Sequence, residues 1–289
     1  MRVTLTVLGS GGPVANRKRV SSGYLISLDG VARMMIDAGG GIFERLGRAA
    51  IDLGGLEAIL LTHTHIDHTG ELPAVISHLY AAGRERPMAF AGPSANERNP
   101  GSRRFIDLLF GADGAWSYMN AFRGFGYTVD EASSSLSSLV PELVPLRSQT
   151  LPELGVSVRS VAIPHDAMPS VAYRIDIGER SITFSGDVAE AAPSLVALAR
   201  DTDVLVHDLA LPEGDAMHVK LHAKPSSVGQ AAQNAAVRSL LVSHFTPEIE
   251  AEMEDALAVV RRHYGGPLFA AEDLATYEVG MSGVQPSVA

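Results

Sequence analysis

The chain has 289 residues and a net charge of −10 at pH 7, from 23 Lys and Arg against 33 Asp and Glu. A hydrophobic content of 46% with 19% charged residues indicates a globular protein with a substantial core, and the acidic balance disfavours broad nucleic-acid binding. Cysteine is absent, which excludes disulfides, thiolate metal ligands and a cysteine nucleophile.

Strands and helices are predicted to alternate along the whole chain. Residues 2–8 alternate polar and apolar side chains as a half-buried strand does, and the strands 22–28 and 31–37 flank Asp29-Gly30, a strong hairpin signal. Helices are predicted at 42–50, 71–82, 191–200, 225–236 and 246–264. Further strands are predicted at 56–62, 88–91, 156–163, 170–177, 181–184, 204–206, 240–242, 268–270 and 275–279. A loose tail is predicted after the last strand.

This alternation continues without a break in composition, which favours a single α/β domain over residues 1–289 with mixed sheets. The apolar pattern loosens between residues 94 and 147, and we expect this insert to border the active site, as long irregular segments often do. The first residues lack the pattern of a signal segment and no apolar run approaches about 18 residues, so we expect no membrane association and a cytoplasmic location.

One loop carries most of the candidate chemistry. The apolar run 58–61 predicts a buried strand, after which His63, His65, Asp67 and His68 follow within six residues. Two imidazoles one residue apart can turn toward a common centre, and the later Asp and His can reach a neighbouring centre once the chain bends. Imidazole and carboxylate suit first-row divalent ions, so the loop predicts two adjacent metal ions that share a nucleophilic hydroxide.

Three more candidate ligands stand just after predicted strands, namely His165, Asp187 in Ser-Gly-Asp, and His244. Together with the HTHIDH loop, these residues resemble the ligand set of the metallo-β-lactamase-fold hydrolases. The resemblance covers almost the whole chain. The resemblance implies a four-layer αββα sandwich of two mixed β-sheets flanked by helices, with two divalent ions at one edge, Zn²⁺ first and Mn²⁺ or Fe²⁺ as alternatives. It implies one metal held by His63, His65 and His165, a second held by Asp67, His68 and His244, and Asp187 as the bridging ligand.

The N-terminal loop 9–22 and the strand 171–175 are similar to those of the ribonuclease Z and arylsulfatase-like branch. Within that resemblance His222, oriented by Asp208, is expected to protonate the leaving group, with His218 as a nearby competitor, and Asp67 also belongs to the catalytic set. Only a short segment separates the strand from Ser-Gly-Asp. The long arm with which ribonuclease Z clamps tRNA is therefore missing.

These features predict a dinuclear metal-dependent hydrolase that cleaves a phosphodiester or aryl sulfate ester with a metal-bridging hydroxide. A lactone, thioester or β-lactam hydrolase, and a non-hydrolytic metal-binding or regulatory protein on the same fold, remain open alternatives. The expected substrate is a small-molecule ester and not tRNA, and a homodimer is among the open oligomeric states. The basic triplet 17–19 favours a solvated loop over a substrate-binding patch.

Overall fold

A computed structural model of the chain describes residues 1–120, 127–136, 140–146, 148, 150–190 and 192–287, so parts of the 94–147 insert lie outside the described residues. The strands in chain order are β1 (Val3–Gly9), β2 (Gly23–Leu28), β3 (Val31–Ile36), β4 (Ala58–Leu60), β5 (Met88–Pro93), β6 (Tyr127–Ala132), β7 (Glu142–Leu143), β8 (Val156–Ala162), β9 (Val171–Ile177), β10 (Arg180–Phe184), β11 (Val204–Asp208), β12 (Leu240–Ser243), β13 (Leu268–Ala270), β14 (Thr276–Gly280) and β15 (Gly283–Pro286).

The helices of the described residues lie between these strands. They are α1 (Ile42–Arg48), α2 (Ile66–Thr69), α3 (Leu72–Ala81), α4 (Ser102–Phe110), α5 (Thr150–Glu153), α6 (Pro193–Leu198), α7 (Pro225–Asn234), α8 (Pro247–Ala251) and α9 (Met253–His263), with a 3₁₀ turn at Ser117–Met119. None of them is long and apolar enough to cross a membrane.

The strands form two mixed sheets. One sheet has eight strands in the order β15-β14-β1-β2-β3-β4-β5-β6, and the other has seven in the order β13-β12-β11-β10-β9-β8-β7. The predicted Asp29-Gly30 hairpin is present, with β2 antiparallel to β3. Helices cover the outer faces, so the predicted αββα sandwich is confirmed.

Alternation along each strand sends side chains to two different cores. In β2, Ile26 points into the core between the sheets, while its neighbour Leu25 packs into the core under the helices of the first sheet. Met34 and Met35 in β3 divide in the same way. Both faces of the first sheet are therefore buried at β2 and β3, which explains why these two strands read as largely apolar runs.

Two predicted elements are wrong in detail. The predicted helix 246–264 is two helices, because Glu252 leaves the helical region at φ −113° and ψ 21°. The predicted loose tail forms β15, which pairs antiparallel with β14. Gly283 makes the connecting turn possible with φ +105°, and Val284 is buried.

The sheet topology gathers polar residues at one edge. Strands β10, β11 and β12 run parallel to one another, and so do β3, β4 and β5. Parallel strands end at the same edge of a sheet, so the residues that follow them become neighbours in space. Segments far apart in the chain thus meet at this edge.

Candidate metal centre

The histidine loop is held in place by the segment that follows β3. The Ala38 N–H donates to the carbonyl of His68 at 2.7 Å, and the Glu71 N–H donates to the carbonyl of Ala38 at 2.9 Å. A Cβ on Gly39 would lie 2.0 Å from the carbonyl oxygen of Asp67, so only glycine allows this close approach. Helix α2 therefore starts directly against the first sheet, with Asp67 and His68 buried in its first turn.

Three imidazoles form the first donor triad. The Nδ1 of His65 lies 3.0 Å from the Nε2 of His63 and 3.1 Å from the Nε2 of His165. The Nδ1–H of His165 donates to the carbonyl of Leu221 at 2.7 Å, which leaves its Nε2 lone pair directed at the other two rings. Nitrogen ligands of a tetrahedral zinc ion lie about 3.3 Å apart, so these distances fit one metal ion.

A second donor triad lies beside the first and consists of Asp67, His68 and His244. The Nε2 of His244 lies 3.2 Å from the Nε2 of His68 and 3.2 Å from the Oδ2 of Asp67, while the Nε2 of His68 lies 3.6 Å from that oxygen. The N-terminal loop closes one side, since a Cβ on Gly12 would lie 2.8 Å from the Cε1 of His244. These donors also fit one metal ion.

Asp187 lies between the two triads and is 3% exposed. Its Oδ2 is 3.2 Å from the Nε2 of His244, 3.7 Å from that of His63 and 3.8 Å from that of His165. Its Oδ1 is 3.4 Å from the Nε2 of His68. The structure thus brings all seven predicted ligands together, and Asp187 faces both sets of donors.

The charge of the site indicates that cations belong in it. Four carboxylates, Asp37, Asp67, Asp187 and Asp208, are at most 6% exposed. Among the described residues, no Lys or Arg forms an ion pair with any of them. Burying carboxylates without a compensating charge is costly, and two divalent ions would neutralise all four. The donor set and its charge both fit a dinuclear metal centre.

The pKa values of the site follow from burial and from these carboxylates. Burial lowers the pKa of His63 well below its ordinary value and that of His165 to about 4, so both rings are neutral at pH 7, the form that binds metal ions. Burial also disfavours charge on His68, but Asp187 and Asp37 outweigh it and raise the pKa of His68 well above the ordinary value. The carboxylates therefore draw positive charge into the site.

Asp37, at the end of β3, was missed in the sequence analysis. Its Oδ1 accepts the Thr62 N–H at 2.8 Å, and its Oδ2 accepts the Thr62 hydroxyl at 2.8 Å and lies 2.8 Å from the Nδ1 of His68. A carboxylate on Nδ1 directs the Nε2 lone pair of His68 toward the second triad. The signal was present, because Asp37 also follows a buried strand, as His63 does.

The predicted proton donor lies against both triads. The Nδ1 of His222 is 3.0 Å from the Oδ2 of Asp208 and 4.0 Å from the Oδ2 of Asp187. Its ring centre is 5.2 Å from that of His244 and 5.6 Å from that of His165. Burial disfavours the charged form of His222, but the bond to Asp208 and the charge of Asp187 outweigh it and raise its pKa. Asp208 and Asp187 therefore stabilise positive charge on the His222 ring.

The two other histidines near this pair occupy different environments. His218 is half-exposed and pairs with Asp215 at 2.9 Å. His207 is fully buried at the end of β11, and its Nδ1–H donates to the backbone carbonyl of Asp208 at 2.9 Å. Neither contributes a donor atom to the metal-ligand clusters of the described residues.

The basic triplet 17–19 divides into two environments. Arg17 and Lys18 are exposed, as expected for a solvated loop. For Arg19 that expectation is wrong, since its side chain is 12% exposed, with the guanidinium carbon 4.4 Å from the centre of the Phe245 ring and Nε 3.5 Å from Glu250. Packing on an aromatic ring and pairing with a carboxylate let the sequence bury this cation.

Comparison with known proteins agrees with this fold and site. Residues 17–233 match the family model of the metallo-beta-lactamase superfamily. The match covers well over half of the chain, and the chain belongs to this superfamily.

Similar proteins extend over nearly the full length. An uncharacterized protein of Mycobacterium tuberculosis is 30% identical over 283 residues, 97% of this chain and 94% of the relative. A ribonuclease Z of Mycobacterium marinum is 27% identical over 291 residues, 96% of this chain and 99% of that enzyme. The crystal structure of the short form of human tRNase Z has the same fold, with a TM-score of 0.72 at 20% identity over 96% of this chain and 99% of that chain.

The segment between β9 and β10 is as short as the sequence predicts. Strands β9 and β10 are joined directly through Gly178 and Glu179, and Gly178 adopts φ +56° in the turn. The region between the strand 171–175 and Asp187 is therefore a plain hairpin.

Proposed function

We propose that this chain is a dinuclear metal-dependent phosphodiesterase that acts on a small ester. The observation that carries the proposal is the convergence of two donor triads on Asp187, with the Asp208–His222 pair packed against both. His63, His65 and His165 would hold one divalent ion, Asp67, His68 and His244 the other, with Asp187 facing both, and Zn²⁺ suits these nitrogen and oxygen donors. When bound, the ions would supply Lewis-acid polarisation of the ester and a water of lowered pKa.

The protein's own contribution to bond cleavage is the proton for the leaving group. Asp208 accepts the Nδ1–H of His222, which fixes the ring and stabilises its charged form. The Nε2–H of the imidazolium then remains to protonate the leaving oxygen as the ester bond breaks. His218 lacks this placement, so we assign the proton donor to His222.

Two further observations favour a small phosphodiester over tRNA. The net charge of −10 opposes binding of a folded polyanion, which usually depends on neutralising several phosphates. The plain β9–β10 hairpin offers no clamp. The full-length similarity to a ribonuclease Z supports phosphodiester chemistry, whereas aryl sulfate cleavage is the second candidate, supported by the likeness of the N-terminal loop 9–22 to the arylsulfatase-like branch.

The insert 94–147 is proposed to border this active site. The side-chain amides of Asn96 and Asn99 both donate to the carbonyl of Ala167 at 2.9 Å. Ala167 lies two residues after His165, so these bonds attach the start of the insert to the loop that carries a proposed metal ligand.

A substrate panel tests the proposed function. The purified protein, loaded with zinc or with manganese, is assayed with bis(4-nitrophenyl) phosphate, 4-nitrophenyl sulfate, a lactone, a thioester and a β-lactam. We expect the highest kcat/KM on the phosphodiester, with aryl sulfate second. Preference for the thioester or the lactam would overturn the proposal, and metal binding without hydrolysis of any ester would favour the non-hydrolytic alternative.

A further inference from the structure

A pocket of about 370 Å³ opens beside His222, and none of the seven proposed metal ligands lines it. We call it the Leu211 pocket. Its walls are mainly apolar and are formed by Val14 of the N-terminal loop, by Leu211 and Pro212 after β11, and by Leu221. Its volume is within the range of small-molecule sites, about 300–1,000 Å³.

The ionisable groups of the Leu211 pocket are two carboxylates and two histidines. Asp215 and the exposed Glu248 line it, and His218 is paired with Asp215 at 2.9 Å. Among the described residues, none that lines the pocket is Lys or Arg. His218 and His222 are the possible cations of the pocket, but each is paired with a carboxylate, Asp215 at 2.9 Å and Asp208 at 3.0 Å. Glu248 therefore keeps the charge balance negative, and the pocket disfavours anions.

His222 connects this pocket to the metal centre. Its ring contacts the rings of His165 and His244, and it also lines the Leu211 pocket. Because the same ring faces both places, the leaving group of an ester held at the metal centre can extend past His222 into the Leu211 pocket.

We infer that the Leu211 pocket binds the leaving group of the ester and selects uncharged, apolar leaving groups such as a phenol. The inference rests on the proposed function, because it uses His222 as the proton donor. Apolar walls favour the ring, while Asp215 and Glu248 oppose a carboxylate or a further phosphate on it. The negative charge of the pocket is also a second reason, besides the missing arm, why an RNA strand would be a poor leaving group here.

The first test measures binding and needs no turnover. Calorimetric titration of the full chain with 4-nitrophenol and with 3-carboxy-4-nitrophenol is carried out at a pH at which both phenol oxygens are protonated. We expect about tenfold tighter binding of the uncharged phenol, as one unfavourable charge contact would produce. Failure of the wild-type protein to bind either phenol at millimolar concentration, or equal binding of both, would overturn the inference.

Matched variants locate the binding. Glu248→Lys is expected to reduce or reverse the preference for the uncharged phenol, whereas Glu254→Lys, the same change in the first turn of the neighbouring helix α9, leaves it unchanged. Val14→Ser is expected to weaken binding of the uncharged phenol severalfold, whereas Val31→Ser, at a comparably exposed valine that does not line the pocket, is not. Equal effects of both members of a pair would contradict the location.

Hydrolysis of the two matching methyl aryl phosphodiesters separates this inference from the proposed function. Turnover of both esters at equal kcat/KM would leave the phosphodiesterase proposal standing and overturn the selection of leaving groups. Absence of turnover of either ester, with the binding preference intact, would overturn the phosphodiesterase proposal and leave the pocket as a site for apolar phenols.

Discussion

Two polar clusters lie next to the end of β12, one against Phe245 and the other against His244, and they balance their charges differently. The first, which we call the Arg19 cluster, consists of Arg19, Arg45, Glu250 and Asp273. Its two guanidinium groups pair with its two carboxylates, Arg19 with Glu250 at 3.5 Å and Arg45 with Asp273 at 3.3 Å. The cluster is neutral without any added ion.

The candidate metal centre has the opposite property. Its four buried carboxylates have no Lys or Arg partner among the described residues, and its imidazole nitrogens point at one another across 3.0 to 3.2 Å. In this chain the Arg19 cluster supplies its own counter-charges, whereas the carboxylates of the candidate metal centre would be balanced by bound cations.

The strongest test of this comparison removes the shared carboxylate. Asp187→Ala is expected to lower the content of both metal ions and to reduce kcat/KM by about a thousandfold, because the ions supply several kcal/mol of transition-state stabilisation. Elemental analysis of the purified variant and phosphodiesterase assays measure this, and His63→Ala should empty one position first. Asp203→Ala, a buried aspartate that pairs with Arg238, is the control and should keep its metals.

The second test concerns the proton donor. His222→Ala is expected to lower kcat by about a hundredfold or more with metal content unchanged, and the loss should shrink for leaving groups of low pKa, which need no proton. His218→Ala is the matched control and should change kcat little. A His222→Ala protein with full turnover on an alkyl ester would refute the assignment.

A smaller effect is expected at Asp37, which contacts no proposed substrate. Asp37→Asn weakens the orientation of His68 and should lower metal affinity about ten- to a hundredfold, as loss of a hydrogen-bond partner of a metal ligand usually does. Competition with a chromogenic chelator measures the affinity. Unchanged affinity would show that the second triad is rigid without this carboxylate.

The smallest effect is expected in the Arg19 cluster, and it should appear in stability alone. Glu250→Gln should lower the free energy of unfolding by about 0.5–1 kcal/mol at pH 7 and leave metal content and turnover unchanged. The hydrogen bond from Asn16 and the charges of Arg19 and Lys18 hold the pKa of Glu250 below its ordinary value. Its contribution is therefore complete above the ordinary carboxyl pKa and is lost as the pH falls through the lowered value.

Urea denaturation at neutral and at acid pH measures that difference, which should shrink in acid. Glu254→Gln, on an exposed first turn, is the control and should show no such dependence. Loss of bound metal in Glu250→Gln would show that the two clusters are coupled through the neighbours His244 and Phe245 and would weaken the distinction between them.

Local patterns in the sequence were enough for much of the fold and for half of the metal centre. Asp29-Gly30 specified a hairpin because both residues tolerate positive φ, and the structure has φ 49° and 82° there. The histidine loop was recognisable because its four donors are adjacent in the chain. The distant ligands His165, Asp187 and His244 were assigned through a family resemblance and their position after strands.

Tertiary structure alone decided which of the other polar residues serve the site. The position of Asp37 after a buried strand makes it a candidate site residue, but its local sequence does not show that its partner is His68. Nor does the local sequence of Arg19 and Glu250 show that they pair with each other. The distinction arises when parallel strands place their ends at one edge, since only then does each charge acquire its neighbours. Sequence order thus determined the donors, while the packing of the two sheets determined which charges were left without a partner.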